Sequence, residues 1–289
     1  MITDRIIEKY GLDEREKAEF YEYTANRFEG CTEISEPDES FLGLWENIIM
    51  YAGAAGADKA INEKVCRQHP VEFRSPGKVE ISIYRSFAGG IPVIYTPDTD
   101  DFEQLVTNIA YKGVCPENLS QTGASFLHGK TTRFMILSAK PYSNVPASEL
   151  GLGDDEKWAE MSFVLRRGHE CTHYFTKQVY GVTNNILHDE MIADFIGIYE
   201  AAGFYKAEWF LRFMGLINGS GGRLIFYTEQ LSPNVRSAVA ELLTEAAYKL
   251  EAWSLTDAFG SMTVGDRIRY LCRKGLAGIA EMAEQALEY

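Results

Sequence analysis

The sequence predicts an α+β protein, in which a small mixed sheet with helices is followed by a mainly helical C-terminal half. Three observations predict it. Strand-like runs cluster between Lys78 and Ala139. Segments of helical period, rich in Glu, Lys and Ala, lie on both sides of them. The composition, 46% hydrophobic and 24% charged over 289 residues, suits a chain that buries a substantial core without staples.

Asp4 to Phe28 reads as helix, with Ile6, Ile7, Tyr10, Phe20 and Tyr23 as its apolar positions. A second helical segment spans Phe41 to Gln68, capped by Ser40 or by Asp38. Its run Gly53 to Ala57 points to close packing, and His69-Pro70 ends it. Lys78 to Tyr84 alternates as a strand with Val79, Ile81 and Ile83 on one face. Ile91 to Thr96 is a second strand after a Gly89-Gly90 turn, and Asp98 to Tyr111 returns to helical period. Thr131 to Ala139 is a third strand, ended by Pro141 and Pro146. Helices are expected at about 154–179, 185–202, 204–214, 233–252 and 264–287. The Gly-rich stretch Asn218 to Arg223 reads as a turn before a short extended piece, LIFYT. The expected division is an N-terminal helical region at 1–75, a core with the sheet and two helices at 76–203 and a helical C-terminal subdomain at 204–289. No Pro/Gly/Ser linker isolates the N-terminal helices, so they are expected to pack as part of the same unit as the core.

The charge balance, 28 basic against 42 acidic residues, gives −14. That field repels phosphate backbones and anionic lipid, so neither nucleic acid nor a membrane is an expected partner. Five scattered cysteines without a CxxC pair are not a disulfide framework. The opening MITDRIIEKYGLDEREK lacks a signal-peptide core, and no run is long and apolar enough to span a bilayer. A cytoplasmic location is the expectation.

Two of the five histidines fall in one motif, His169-Glu170-Cys171-Thr172-His173, which matches HExxH. On a helix, residues four apart share a face, so His169 and His173 can bind one metal ion together. They border an apolar stripe of Trp158, Met161, Leu165, Gly168, Thr172 and Phe175. Glu170 lies about 100° around the axis from His169, which suits a carboxylate beside a metal site rather than on the metal. The next helix offers Glu190 and Asp194, also four apart, among Ile186, Ala193, Gly197 and Ala201. Carboxylates on a small apolar face are costly unless paired or metal-bound.

Plainer readings stand beside these. The histidines could be an unremarkable pair on a helix, and the two carboxylates a solvated face or charges at a helix N-terminus. His188 is about 200° from Glu190 and reads as structural. His69 and His128 read as a surface and a loop histidine, and Cys171 as a small packing residue.

With HECTH at 169–173 and ExxxD from Glu190 to Asp194, the chain resembles the gluzincin branch of the zincin metallopeptidases, the group that includes thermolysin. The resemblance covers about 80 residues. It implies a zincin-like fold with an HExxH active-site helix, and Zn2+ held by His169, His173 and Glu190. It implies that Glu170 is catalytic, activating water, and that Asp194 stands behind a ligand and orients a histidine, His169. The gap from His173 to Glu190 is shorter than in thermolysin-like members, which leaves the two carboxylates' roles interchangeable. An edge strand that holds extended peptide would correspond to Thr132 to Ser138. There is no GxMEN-type motif, and no histidine follows His188. Stabilisation of the transition state would therefore fall to a tyrosine, Tyr227 or Tyr248, with Arg236 assisting. The expected activity is zinc-dependent hydrolysis of a peptide or protein substrate. The alternatives are a catalytically idle zincin-like zinc-binding or regulatory protein, and a zinc hydrolase of non-peptide amides.

Overall fold

Apolar runs of strand length and helical runs alternate along the chain, and the computed structural model resolves them into four strands and twelve α-helices among the described residues, 1–34, 38–129, 133–181, 186–217 and 222–282. The helices are α1 (Ile2–Tyr10), α2 (Glu14–Thr24), α3 (Leu42–Ala55), α4 (Ala57–Ala60), α5 (Thr99–Ile109), α6 (Asp155–Tyr180), α7 (Leu187–Ala202), α8 (Ala207–Met214), α9 (Leu224–Thr228), α10 (Pro233–Ser254), α11 (Asp257–Gly260) and α12 (Val264–Ala280). The strands are β1 (Glu80–Ser86), β2 (Gly89–Thr96), β3 (Ala124–His128) and β4 (Arg133–Ser138). The protein is thus α+β, with a small mixed sheet and mostly helical content.

The chain forms two compact units, one of Met1–Ser35 with Thr172–Tyr289, the other of Glu36–Cys171. This grouping differs from the three consecutive segments expected, because it joins the first helices to the last, a pairing that local periodicity does not encode. Helix α6 contributes residues to both units.

In the unit Glu36–Cys171 the sheet order is β1-β2-β4-β3. β1 and β2 form an antiparallel hairpin, from Glu80↔Tyr95 to Ser86↔Gly89. Gly89 makes its turn with φ +102°, a conformation only glycine adopts without strain. β2 and β4 are parallel, and β3 and β4 antiparallel. The strand expected to be an edge is therefore internal: β4 pairs on both sides, every one of its residues is buried, and the edges are β1 and β3. Residues 131 and 132 of the expected strand lie outside the described residues. One core joins α3, α5 and the sheet through Trp45, Ile48, Phe102, Leu105, Phe134 and Ile136. The expected helix from Phe41 to Gln68 is broken at Gly56, φ +100°, and closes in a wide turn at Ile61–Val65. Ser40 donates to Asp38 Oδ1 just before it, 2.6 Å from Oγ, so neither side chain caps the helix directly.

In the other unit, the expected helix from Asp4 to Phe28 is two helices. Gly11 ends α1 in the left-handed conformation, and Asp13 with Glu16 forms a capping box that starts α2. Helices α1 and α2 pack on α10 and α12. Asn26 Nδ2 donates to the carbonyls of Cys272 (2.9 Å) and Arg273 (3.2 Å), next to a break in α12 at Gly275. LIFYT, expected as extended, is the helix α9: its four apolar side chains carry no period that separates strand from one helical turn. Residues 218–221 of the Gly-rich turn, Asn185 of the expected start of α7, and residues 283–287 of the last expected helix lie outside the described residues. Among the described residues no helix is long and apolar enough to cross a membrane.

Candidate metal centre

Helix α6 is started by Asp154, whose Oδ1 accepts from the backbone of Glu156 and Lys157, both at 3.0 Å. Trp158, Ser162 and Arg166 follow at four-residue spacing and so form one stripe. Each takes hold of the chain that leaves β4. Trp158 Nε1 donates to the Val145 carbonyl (2.8 Å), and the Tyr142 amide donates to Ser162 Oγ (3.0 Å). Arg166 donates to the carbonyls of Ser138 and Lys140, both at 2.9 Å. A Cβ on Gly123 would overlap this guanidinium, so the close approach requires glycine there. Ser143 and Asn144 both take left-handed backbone conformations, φ +52° and +56°, uncommon for residues other than glycine. The fastening holds Tyr142, and its hydroxyl lies 2.9 Å from His169 Nδ1 in a buried contact.

One turn further along α6, His173 is held by a carboxylate instead. Its Nδ1 is 3.0 Å from Asp189 Oδ2, and Thr176 Oγ1 donates to Asp189 Oδ1 at 3.4 Å. The Nε2 atom of His173 is 3.4 Å from Glu190 Oε1. Asp189 and Glu190 occupy the first turn of α7, where the unpaired amides of the helix end favour negative charge. Burial opposes a charge on His173, but the facing carboxylates of Asp189 and Glu190 outweigh it and raise its pKa well above the ordinary imidazole value.

His169, His173 and Glu190 each offer a ligand atom, and these atoms lie within 4.8 Å of one another. Nδ1 of each ring is engaged, and Nε2 of His173 faces Glu190. Two imidazoles and a carboxylate are a donor set that suits zinc. Glu170 is half-buried, and among the described residues no hydrogen bond or ion pair engages its carboxylate.

Asp194 is fully buried and paired with Arg223, whose Nη1 is also 3.5 Å from Glu190 Oε2. The two carboxylates do share a face, as their spacing predicts, and one guanidinium bridges them. The orienting contacts on the imidazoles come from Tyr142 and Asp189, neither of which the motif spacing singles out. The sequence signal for Asp189 was its adjacency to Glu190; Tyr142 and Arg223 arrive from loops and carried none. Tyr227, on α9, is brought to Glu190. Burial, then the charge of Glu190, raises its hydroxyl pKa, against the pull of Arg223. Tyr248 is 54% exposed on α10. Arg236 donates to the carbonyls of Thr228, Glu229 and Leu231, so it fastens the chain after α9. His188 faces away, as its angle predicts: its Nε2 is 3.1 Å from the Leu271 carbonyl, and burial pushes the imidazole down to about 4. His128 is exposed at the end of β3, and Cys171 is fully buried.

A family model described as a family of unknown function, DUF7005, matches residues 59–132 and 130–285. No curated protein and no solved structure matches the chain.

Proposed function

We propose that this chain, which belongs to the DUF7005 family, is a zinc-dependent metallopeptidase with a zincin-like fold, acting on a peptide or protein substrate. One observation carries the reading: His169, His173 and Glu190 bring three ligand atoms within 4.8 Å of one another, on helices that also carry an HExxH glutamate. These three residues would hold the ion. Zinc, when bound there, supplies Lewis acidity that polarises a carbonyl and acidifies water. The protein's own groups do the rest. Asp189 and Tyr142 accept the Nδ1 protons and so keep the two imidazoles in the tautomer that leaves Nε2 unprotonated. Glu170, one residue after His169 and with its carboxylate disengaged, takes a proton from water and passes it to the leaving amine. Tyr227 and Arg223 place a hydroxyl and a cation beside Glu190, where negative charge that develops on a substrate oxygen can be met.

A second reading rests on Arg223. A guanidinium that already engages Glu190 and Asp194 could leave a site that holds zinc without turning over substrate. Elemental analysis of protein purified without chelator, together with a peptide-library assay, decides. We expect about one zinc per chain and metal-dependent cleavage. Glu170→Gln should lower the rate by at least about a thousandfold and retain the metal. Zinc at that level without cleavage of any peptide would select the idle site, and absence of zinc would remove both readings.

A further inference from the structure

Helix α9 is a single turn, Leu224–Thr228, with few hydrogen bonds of its own. Its place is therefore set by what grips it. Two groups reach Glu190 from this short segment. Arg223, just before α9, pairs with the fully buried Asp194, and its Nη1 lies 3.5 Å from Glu190 Oε2. Tyr227, one turn later, is hydrogen-bonded to Glu190 through its side chain. Part of the grip is local: Gln230 Nε2 donates to the Tyr227 carbonyl at 2.9 Å, and Arg236 fastens the carbonyls that follow.

The rest of the grip comes from α2, 204 to 218 residues away along the chain. Glu16, Glu19 and Tyr23 are spaced three and four apart, so they share one face of that helix. All three are half-buried, whereas Arg15, Ala18 and Glu22 beside them are exposed. Glu16 Oε1 accepts from Asn234 Nδ2 at 3.0 Å. The two carboxylate oxygens of Glu19 accept from the amide and the hydroxyl of Ser232, both at 2.8 Å. The Tyr23 hydroxyl donates to the Tyr227 carbonyl at 2.9 Å. Burial raises the pKa of this phenol, so it stays a donor. Apolar burial, such as that of Phe20, is non-directional and fixes no neighbour's register. These four hydrogen bonds are directional, and the one from Tyr23 falls on the residue whose side chain meets Glu190.

We propose that this face of α2 positions the Arg223–Tyr227 segment against Glu190, and that Tyr23 is the positioning residue that acts on it directly. The inference rests on the reading of Glu190 as a residue of the metal centre, and it gives the N-terminal helices a role in that centre beyond their packing.

A double-mutant cycle of Tyr23→Phe and Glu190→Gln tests it, read by urea unfolding of the full chain stripped with chelator. Among the described residues no hydrogen bond joins Tyr23 to Glu190, so a role confined to packing predicts independent effects. We expect the effect of the double variant on the unfolding equilibrium constant to differ from the product of the single effects by at least about threefold. A smaller departure would overturn the proposal. Should Tyr23→Phe fail to fold, Glu19→Gln, on the same face of α2, takes its place in the cycle with the same expectation. Zinc content of the unstripped wild type separates the two claims. About one zinc per chain without coupling removes the positioning role alone, and coupling without zinc removes the metal centre alone.

Discussion

His169 and His173 stand one turn apart on the same helix, yet their surroundings are built by different physics. The Nδ1 of His169 meets a neutral phenol, placed by a loop that Trp158, Ser162 and Arg166 fasten to α6. The Nδ1 of His173 meets a buried carboxylate, Asp189, and its Nε2 faces a second one, Glu190. The Nδ1 partner of the first ring is neutral and that of the second is charged. Charge-assisted hydrogen bonds are about twice as strong as neutral ones, and low local polarity widens the gap. The difference teaches that the two halves of an HExxH pair need not be equally sensitive, although the motif treats them alike.

The largest expected effect follows from removing the charge at His173. Asp189→Asn keeps an acceptor for Nδ1 but loses the negative charge that makes the ring a better donor of electrons to a metal. We expect zinc affinity to fall about 10–100-fold, read by competition with a chromogenic chelator, with helix content unchanged by circular dichroism. A loss of less than about twofold would break the comparison at its stronger end.

Tyr142→Phe probes the weaker end. Phenylalanine fills the same buried space and removes only the hydroxyl. Because that bond is neutral, zinc affinity should fall by less than about tenfold, and stability to urea by about 1 kcal/mol. A loss equal to that of Asp189→Asn would show that placement, not charge, governs both rings.

The site was legible in the sequence where its parts are local. HECTH and ExxxD each lie within one helix, so a period of 3.6 is enough to put His169 with His173 and Glu190 with Asp194. The hairpin of β1 and β2 was legible for the same reason, through alternation and the Gly89-Gly90 turn. What was missed depends on contacts distant along the chain. The Tyr142 hydroxyl reaches His169 only because a loop is folded back on α6, and Arg223 reaches Asp194 from a segment 29 residues away. Strand order has the same character. The unbroken apolar run FMIL suits a strand buried on both faces, but only the pairing of β4 with both β2 and β3 places it inside the sheet. LIFYT shows the limit at short range, since five residues cannot establish a period.

The smallest expected effect lies one contact further out, at Thr176. Its hydroxyl, buried at the base of the His173 pair, lies 3.1 Å from the His173 carbonyl and 3.4 Å from Asp189 Oδ1. The longer of these is at the far edge of hydrogen-bond geometry, so it steers Asp189 only weakly. Thr176→Val preserves shape and deletes the hydroxyl. If the charge of Asp189 is what holds His173, the carboxylate keeps its hold without this support. Zinc affinity should then stay within about threefold of wild type, while urea denaturation shows a loss of about 1 kcal/mol from the deleted hydroxyl. If Thr176→Val instead weakens zinc as much as Asp189→Asn, the carboxylate must act through its exact position. The contrast between a ring with a neutral partner and a ring with a charged one would then collapse into one mechanism.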